Sequence, residues 1–126
     1  MKLGDKAQIK RRFTSEDVAS YVALGGAPTS GAVPEPMLGA LFSYLLGVRL
    51  PGPGTNYLKQ SYEFVRDAKV GAALTASVEV TRIRPEKSIV DFSTACTDDE
   101  GNIICTGRAL VRVKDVGAYR FVRAWM

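Results

Sequence analysis

Two hydrophobic rhythms divide the chain. In residues 36–47, Met37, Leu38, Leu41, Phe42, Leu45 and Leu46 fill helical faces, while Gly39, Ala40 and Ser43 are small. A segment apolar nearly all round predicts a buried central helix. Pro36 suits its first turn, where a missing N–H costs nothing. From Thr55 onward the period falls to two. Leu74, Ala76, Val78 and Val80 share one face of a strand, then Val90, Phe92, Thr94 and Cys96 share another. Ile83 breaks the first alternation, which predicts a bulge near Arg82. Ile103, Cys105, Ala109, Val111 and Val113 are expected on one face of the last strand. The stretch "TNYLKQSYEFVR", with Tyr57, Tyr62 and Phe64, reads as a further strand.

Upstream, residues 7–13 read as a short strand. "TSEDVASYVAL" reads as a helix capped by Thr14 or Ser15, with Glu16 and Asp17 at its positive end. Val18, Tyr21, Val22 and Leu24 give it a partly apolar face, and Gly25 and Gly26 stop it. Pro28, Pro34 and Pro36 make "APTSGAVPEP" a loop. One apolar helix followed by antiparallel strands joined by short turns predicts an α+β domain with the sheet wrapped over the helix. Such a sheet exposes edges, and association through an edge is expected.

Composition narrows the chemistry. The 126 residues predict a single domain, taken as residues 1–114, with 115–126 an aromatic and basic tail that docks on its own domain or on a partner. There is no histidine, which removes His-based triads, His metal ligands and a His general base. No cysteine pair has metal-ligand spacing, so no metal site is expected. Cys96 and Cys105 lie in alternating apolar segments and read as buried, reduced thiols. No apolar run reaches the ~20 residues of a membrane-spanning helix and no secretory signal is visible, so the expected location is the cytoplasm. The net charge of +4 comes from basic residues including Lys10, Arg11, Arg12, Arg108, Arg112, Lys114, Arg120 and Arg123. They fit solvated strand faces or the attraction of an anionic ligand. No nucleic-acid motif accompanies them.

The stretch from Leu46-Gly47 through Leu50-Pro51-Gly52, Gly54, Tyr57-Leu58, Gln60, Phe64 and Val70-Gly71 resembles the MaoC-like (R)-specific enoyl-CoA hydratase family. Residues 99–102, leading to Gly107 and Ala109, extend the likeness, which covers residues 3–113. The resemblance implies a hot-dog fold with "MLGALFSYLLG" as the central helix. It implies an oligomer, usually a dimer, and an acyl chain lying along that helix, with the coenzyme A arm over basic residues at the subunit boundary. Coenzyme A or an acyl-carrier thioester is then substrate or ligand, and no separate cofactor is implied. In the family a D-x-N-P-x-H loop activates water to hydrate a trans-2-enoyl thioester, and a backbone N–H at the helix entry receives the thioester oxygen.

Here only the twelve residues "GGAPTSGAVPEP" separate Leu24 from Met37, and they hold no D-x-N-P-x-H. Glu35 is their one acid. By analogy with hot-dog thioesterases it is a candidate catalytic base, and its N–H a candidate oxyanion donor. It equally serves to neutralise a helix N-terminus. Gly39, Ala40 and Ser43 would floor the acyl channel, and Asn56, Tyr57 and Gln60 would line the acyl or pantetheine path. Thr29 and Ser30 read as ordinary loop residues. Three functions follow: a hydratase-like or Glu35-dependent thioesterase enzyme, a non-catalytic acyl-thioester sensor, or the partner subunit of a catalytic hot-dog chain.

Overall fold

The computed structural model describes residues 1–113; the predicted tail, 115–126, lies outside them. Five strands form one antiparallel sheet in the order β1-β3-β4-β5-β2. They are β1 (Lys6–Arg12), β2 (Asn56–Phe64), β3 (Ala73–Arg84), β4 (Ile89–Asp98) and β5 (Ile103–Arg112). β1 and β2 are therefore the two edges. Helix α1 (Ser15–Ala23) follows β1, and α2 (Glu35–Tyr44) precedes β2.

The core lies between α2 and the inward face of the sheet. Phe42 and Leu45 are fully buried, as are Leu74, Ala76, Val78, Val90, Phe92 and Val111. Burying a large apolar side chain of this kind contributes roughly 1.5–3 kcal/mol. The central helix differs from the predicted 36–47 in how it ends. After Tyr44 the backbone widens into a π-helical turn, Leu45–Arg49. The wider turn carries the chain past Gly47 with Leu45 and Leu46 still buried. Arg49 then reaches back to donate to the Gln8 carbonyl (3.2 Å).

Helix α1 is capped by Thr14. Its hydroxyl accepts from the Asp17 N–H (3.1 Å), and the Asp17 carboxylate accepts from the Thr14 N–H (2.8 Å). Its expected apolar face is only half realised. None of its residues is buried, and Leu24, the C-cap, lies off the helix and 89% exposed.

Three bulges set which side chains face the helix. In β3 the register slips between Val80 and Arg82. Thr81 is the extra residue, and it returns Ile83 to the core side as the broken alternation predicts. In β2 the slip between Tyr57 and Lys59 makes Leu58 the extra residue. Opposite Cys96 and Thr97, the register passes from Cys105 to Ile103, so Ile104 is the extra residue in β5. This corrects one expectation: Ile104 is buried and Ile103 is 48% exposed, because the bulge inverts the phase there. Cys105 onward follows the predicted face. Cys96 and Cys105 sit opposite each other as buried, unbonded thiols.

The outward face of β4 holds an unpredicted charge. Asp91 is 1% exposed and forms ion pairs with Arg84 and Arg108, one to each carboxylate oxygen. Burial alone would raise its pKa, but the two guanidinium groups outweigh that and hold the carboxyl below its ordinary value. A depressed carboxylate pKa stabilises the fold above the unfolded value of 3.8, and that contribution disappears as the pH falls through the folded value. Asp91→Asn should therefore cost about 1–3 kcal/mol at neutral pH, below the range for a fully buried pair because Arg108 is mostly in water. Denaturant melts at neutral and acid pH check this. A stability difference that persists undiminished in acid would contradict the assignment.

Candidate functional site

A groove of about 450 Å³ opens between α2 and the inward side of β2, lined by Glu35, Pro36, Gly39, Ala40, Ser43, Tyr62 and Phe64. Four of the residues singled out from sequence thus meet in one place. Glu35, Gly39 and Ser43 follow at a spacing of four, which puts them on one face of the helix. The α2 face opposite the core is therefore small and open: Ala40 and Ser43 are exposed and Gly39 half-buried. Glu35 occupies the first helical position, where the helix dipole favours a negative charge.

The far wall comes from the edge strand. Tyr62 stacks on Phe42 with ring centroids 6.1 Å apart and contacts Phe64 at 5.4 Å. Its hydroxyl approaches α2 so closely that a Cβ on Gly39 would stand 2.5 Å from it. Gly39 thus makes room for Tyr62: a side chain there would displace the tyrosine hydroxyl, whereas the backbone conformation itself does not call for glycine. A second glycine lets β2 come close. A Cβ on Gly107, opposite Tyr62 in the ladder, would collide with the Ser61 carbonyl oxygen.

Tyr57 and Gln60 lie outside this groove. They line an adjoining shallow hollow with Leu58, Lys59 and Tyr62, so Tyr62 is the wall shared by both. The Tyr57 hydroxyl donates to Gln60 Oε1. Gln60 Nε2 donates to the Ser61 carbonyl (2.9 Å) and to Thr94 Oγ1 (3.1 Å), which gives the buried Thr94 a polar partner. Asn56 stands farther off, at the start of β2 opposite Arg112. Tyr62 was not among the residues singled out. The signal was present in its alternation with Gln60 and Phe64, which places all three on one face.

The loop before α2 is braced by its own backbone. The Thr29 hydroxyl donates to the Ala32 carbonyl (2.5 Å). Val33 N–H donates to the Ala68 carbonyl (2.8 Å) and Val70 N–H to the Gly31 carbonyl (3.1 Å). Thr29 thus has the structural role expected of it. Burial disfavours the thiolate form of both cysteines. Burial pushes Cys105 up to about 11, aided by the negative charge of Glu35, and burial pushes Cys96 up to about 12. Among the described residues no three His, Cys, Asp or Glu side chains gather as a metal site, and no helix is long and apolar enough to cross a membrane.

A five-stranded antiparallel sheet wrapped on one apolar helix, with a groove along that helix, is the hot-dog fold. No family model matches the chain, but individual proteins do. It is 34% identical to an (R)-specific enoyl-CoA hydratase of Aeromonas caviae over 128 residues, covering 90% of this chain and 96% of that protein. It is 46% identical over 78 residues to the (R)-specific enoyl-CoA hydratase of Rhodospirillum rubrum, covering 61% of this chain and 54% of that one. The solved structure of an Aeromonas caviae (R)-hydratase involved in PHA biosynthesis superposes with a TM-score of 0.83 at 35% identity, covering 89% of this chain and 96% of that one. The chain belongs to the MaoC-like (R)-specific enoyl-CoA hydratase family.

Burial, and contact with the neighbouring tyrosine, raise the pKa of Tyr57; burial likewise raises that of Tyr62, partly offset by the nearby Tyr57 hydroxyl. An alkaline titration read at tyrosinate absorbance should therefore show a phase later than the ordinary value of 10.0. Tyr57→Phe and Tyr62→Phe should each diminish it. A single transition at the ordinary value, unchanged in both variants, would contradict this geometry.

Proposed function

We propose that this chain binds acyl thioesters of coenzyme A or an acyl carrier protein in the groove along α2, and hydrates enoyl thioesters there with Glu35 as its acid–base group. The observation that carries this reading is the placement of Glu35 at the mouth of a largely apolar groove. Gly39, Ala40 and Ser43 form its floor, and Tyr62 and Phe64 its wall. The acyl chain lies against the small side chains of α2. The thioester sits at the helix N-terminus, where the positive end of the dipole favours developing oxyanion charge.

Hydration adds a water oxygen to C3 of the enoyl group and a proton to C2. Glu35 takes the proton from water as the C3–O bond forms, and returns it to C2 as the enolate collapses. One carboxylate suffices because it ends each turnover in the state in which it began. This reading supplies a base from the first turn of α2, beside a short loop that holds neither member of the D-x-N-P-x-H pair. A homodimer formed through the β2 edge, where Tyr57 and Leu58 are exposed, fits the same arrangement, because β2 is also a wall of the groove.

The purified chain should hydrate crotonyl-CoA, followed by loss of enoyl-thioester absorbance. Glu35→Gln should lose about 10²–10⁴ in rate while acyl-CoA binding, read by calorimetry, is retained. Hydration indifferent to Glu35 would remove it from the chemistry. Release of free coenzyme A from saturated acyl-CoA, lost in Glu35→Gln, would make the protein a thioesterase. Acyl-CoA binding with neither reaction would assign it as a sensor or as the partner subunit of a catalytic chain.

A further inference from the structure

A second pocket lies on the opposite side of the sheet from α2. It has a volume of about 260 Å³ and is lined by Lys59, Ser61, Arg84, Arg108 and Leu110. Strand alternation separates it from the groove. Gln60, Tyr62 and Phe64 pair with Ala109, Gly107 and Cys105 on the core side. Lys59 and Ser61 pair with Leu110 and Arg108 on the other. We propose that this outer pocket is a binding site for a phosphate group, independent of the acyl-thioester groove.

Charge and hydrogen-bonding capacity point the same way. Three cationic side chains line the pocket, and the one carboxylate beneath them, Asp91, has both oxygens engaged by Arg84 and Arg108. Among the described residues Lys59 has no ion-pair partner; Arg84 Nε also lacks an acceptor, but it is buried and out of reach of a ligand in the pocket. The cluster thus keeps a surplus of positive charge, three cations against one carboxylate, in a concave site. Asp91 is the reason the site is built and not merely basic. It fixes two guanidinium groups that would otherwise repel each other. Lys59 supplies a mobile point charge and Ser61 a hydroxyl donor from the neighbouring strand. A tetrahedral oxyanion, which accepts several hydrogen bonds at once, matches this donor set better than a planar carboxylate. Pairing of the β2 edge with a second copy would use backbone groups and leave the Lys59 and Ser61 side chains on the outer face.

The test is calorimetric titration of the full chain with inorganic phosphate and with AMP, against chloride at equal ionic strength. Phosphate should bind the wild type. Lys59→Glu and Ser61→Ala should weaken it by about tenfold or more, the loss of one charge-assisted hydrogen bond. Lys59→Ala serves if the charge reversal does not fold. Acyl-CoA binding in the α2 groove should be unchanged in Ser61→Ala, whose side chain lines the outer pocket alone, so failure here is distinguishable from failure of the hydratase reading. AMP binding as tightly as phosphate would make the ligand a phosphomonoester; exclusion of AMP would make it the free anion. No phosphate-specific heat in the wild type, or equal binding by Lys59→Glu, would overturn the proposal.

Discussion

The structure depends on the need to bury a helix that has almost no polar side. Leu38, Leu41 and Phe42 of α2 and Leu45 and Leu46 of the turn beyond it are all within a few per cent of complete burial. A flat sheet would cover one stripe of such a helix. Covering more needs a strongly twisted sheet, and twist is what bulges increase. The three extra residues, Thr81, Leu58 and Ile104, lie in three of the strands that wrap α2. Where covering stops, the helix shows Gly39, Ala40 and Ser43. The groove is thus the remainder of the same packing problem, lined by the helix residues too small to need burial.

This explains which parts were legible from sequence. The central helix and the β3 and β4 faces are strong periodic signals because each residue there answers to one side of one sheet. The Thr81 bulge was visible because Ile83 is apolar on the wrong phase. The Ile104 bulge was hidden because two isoleucines adjoin, and either one fits the core. The π-helical turn was hidden for a similar reason. Gly47 looks like a helix stop, yet Leu45 and Leu46 need one more wide turn to stay covered. Asp91 was illegible because its partners come from other strands. Arg84 is seven residues away and Arg108 seventeen, and only the register brings them to one carboxylate.

The candidate site divides along the same line. Glu35, Gly39, Ala40 and Ser43 are named through the family resemblance, and their nearness in sequence along one helix is enough to bring them together. Asn56, Tyr57 and Gln60 could not be sorted, since their position depends on the Leu58 bulge. Without it, Tyr57 and Gln60 would point to opposite sides of β2. With it, Tyr57 stands opposite Val111 and Gln60 opposite Ala109, both on the core side, and the hydroxyl of one reaches the amide of the other. Tyr62, the wall between groove and hollow, inherits its position from that register.

An edge strand of this kind carries two duties that conflict in most sheets. Edges favour short, charged or twisted strands that discourage pairing, whereas a groove wall favours large apolar rings. β2 reconciles them by alternation. Its core side presents Tyr62 and Phe64 to α2, and its outer side presents Lys59 and Ser61 to the arginines around Asp91. One strand therefore separates an apolar recess from a cationic one across the thickness of the sheet. The bulge at Leu58 fixes the phase of both, so the character of each recess is coupled to the register of a single strand. Insertion or deletion of one residue between Tyr57 and Lys59 would exchange the two faces, setting lysine against the helix and tyrosine against the arginines. The register of β2 thus controls the groove and the cationic pocket together.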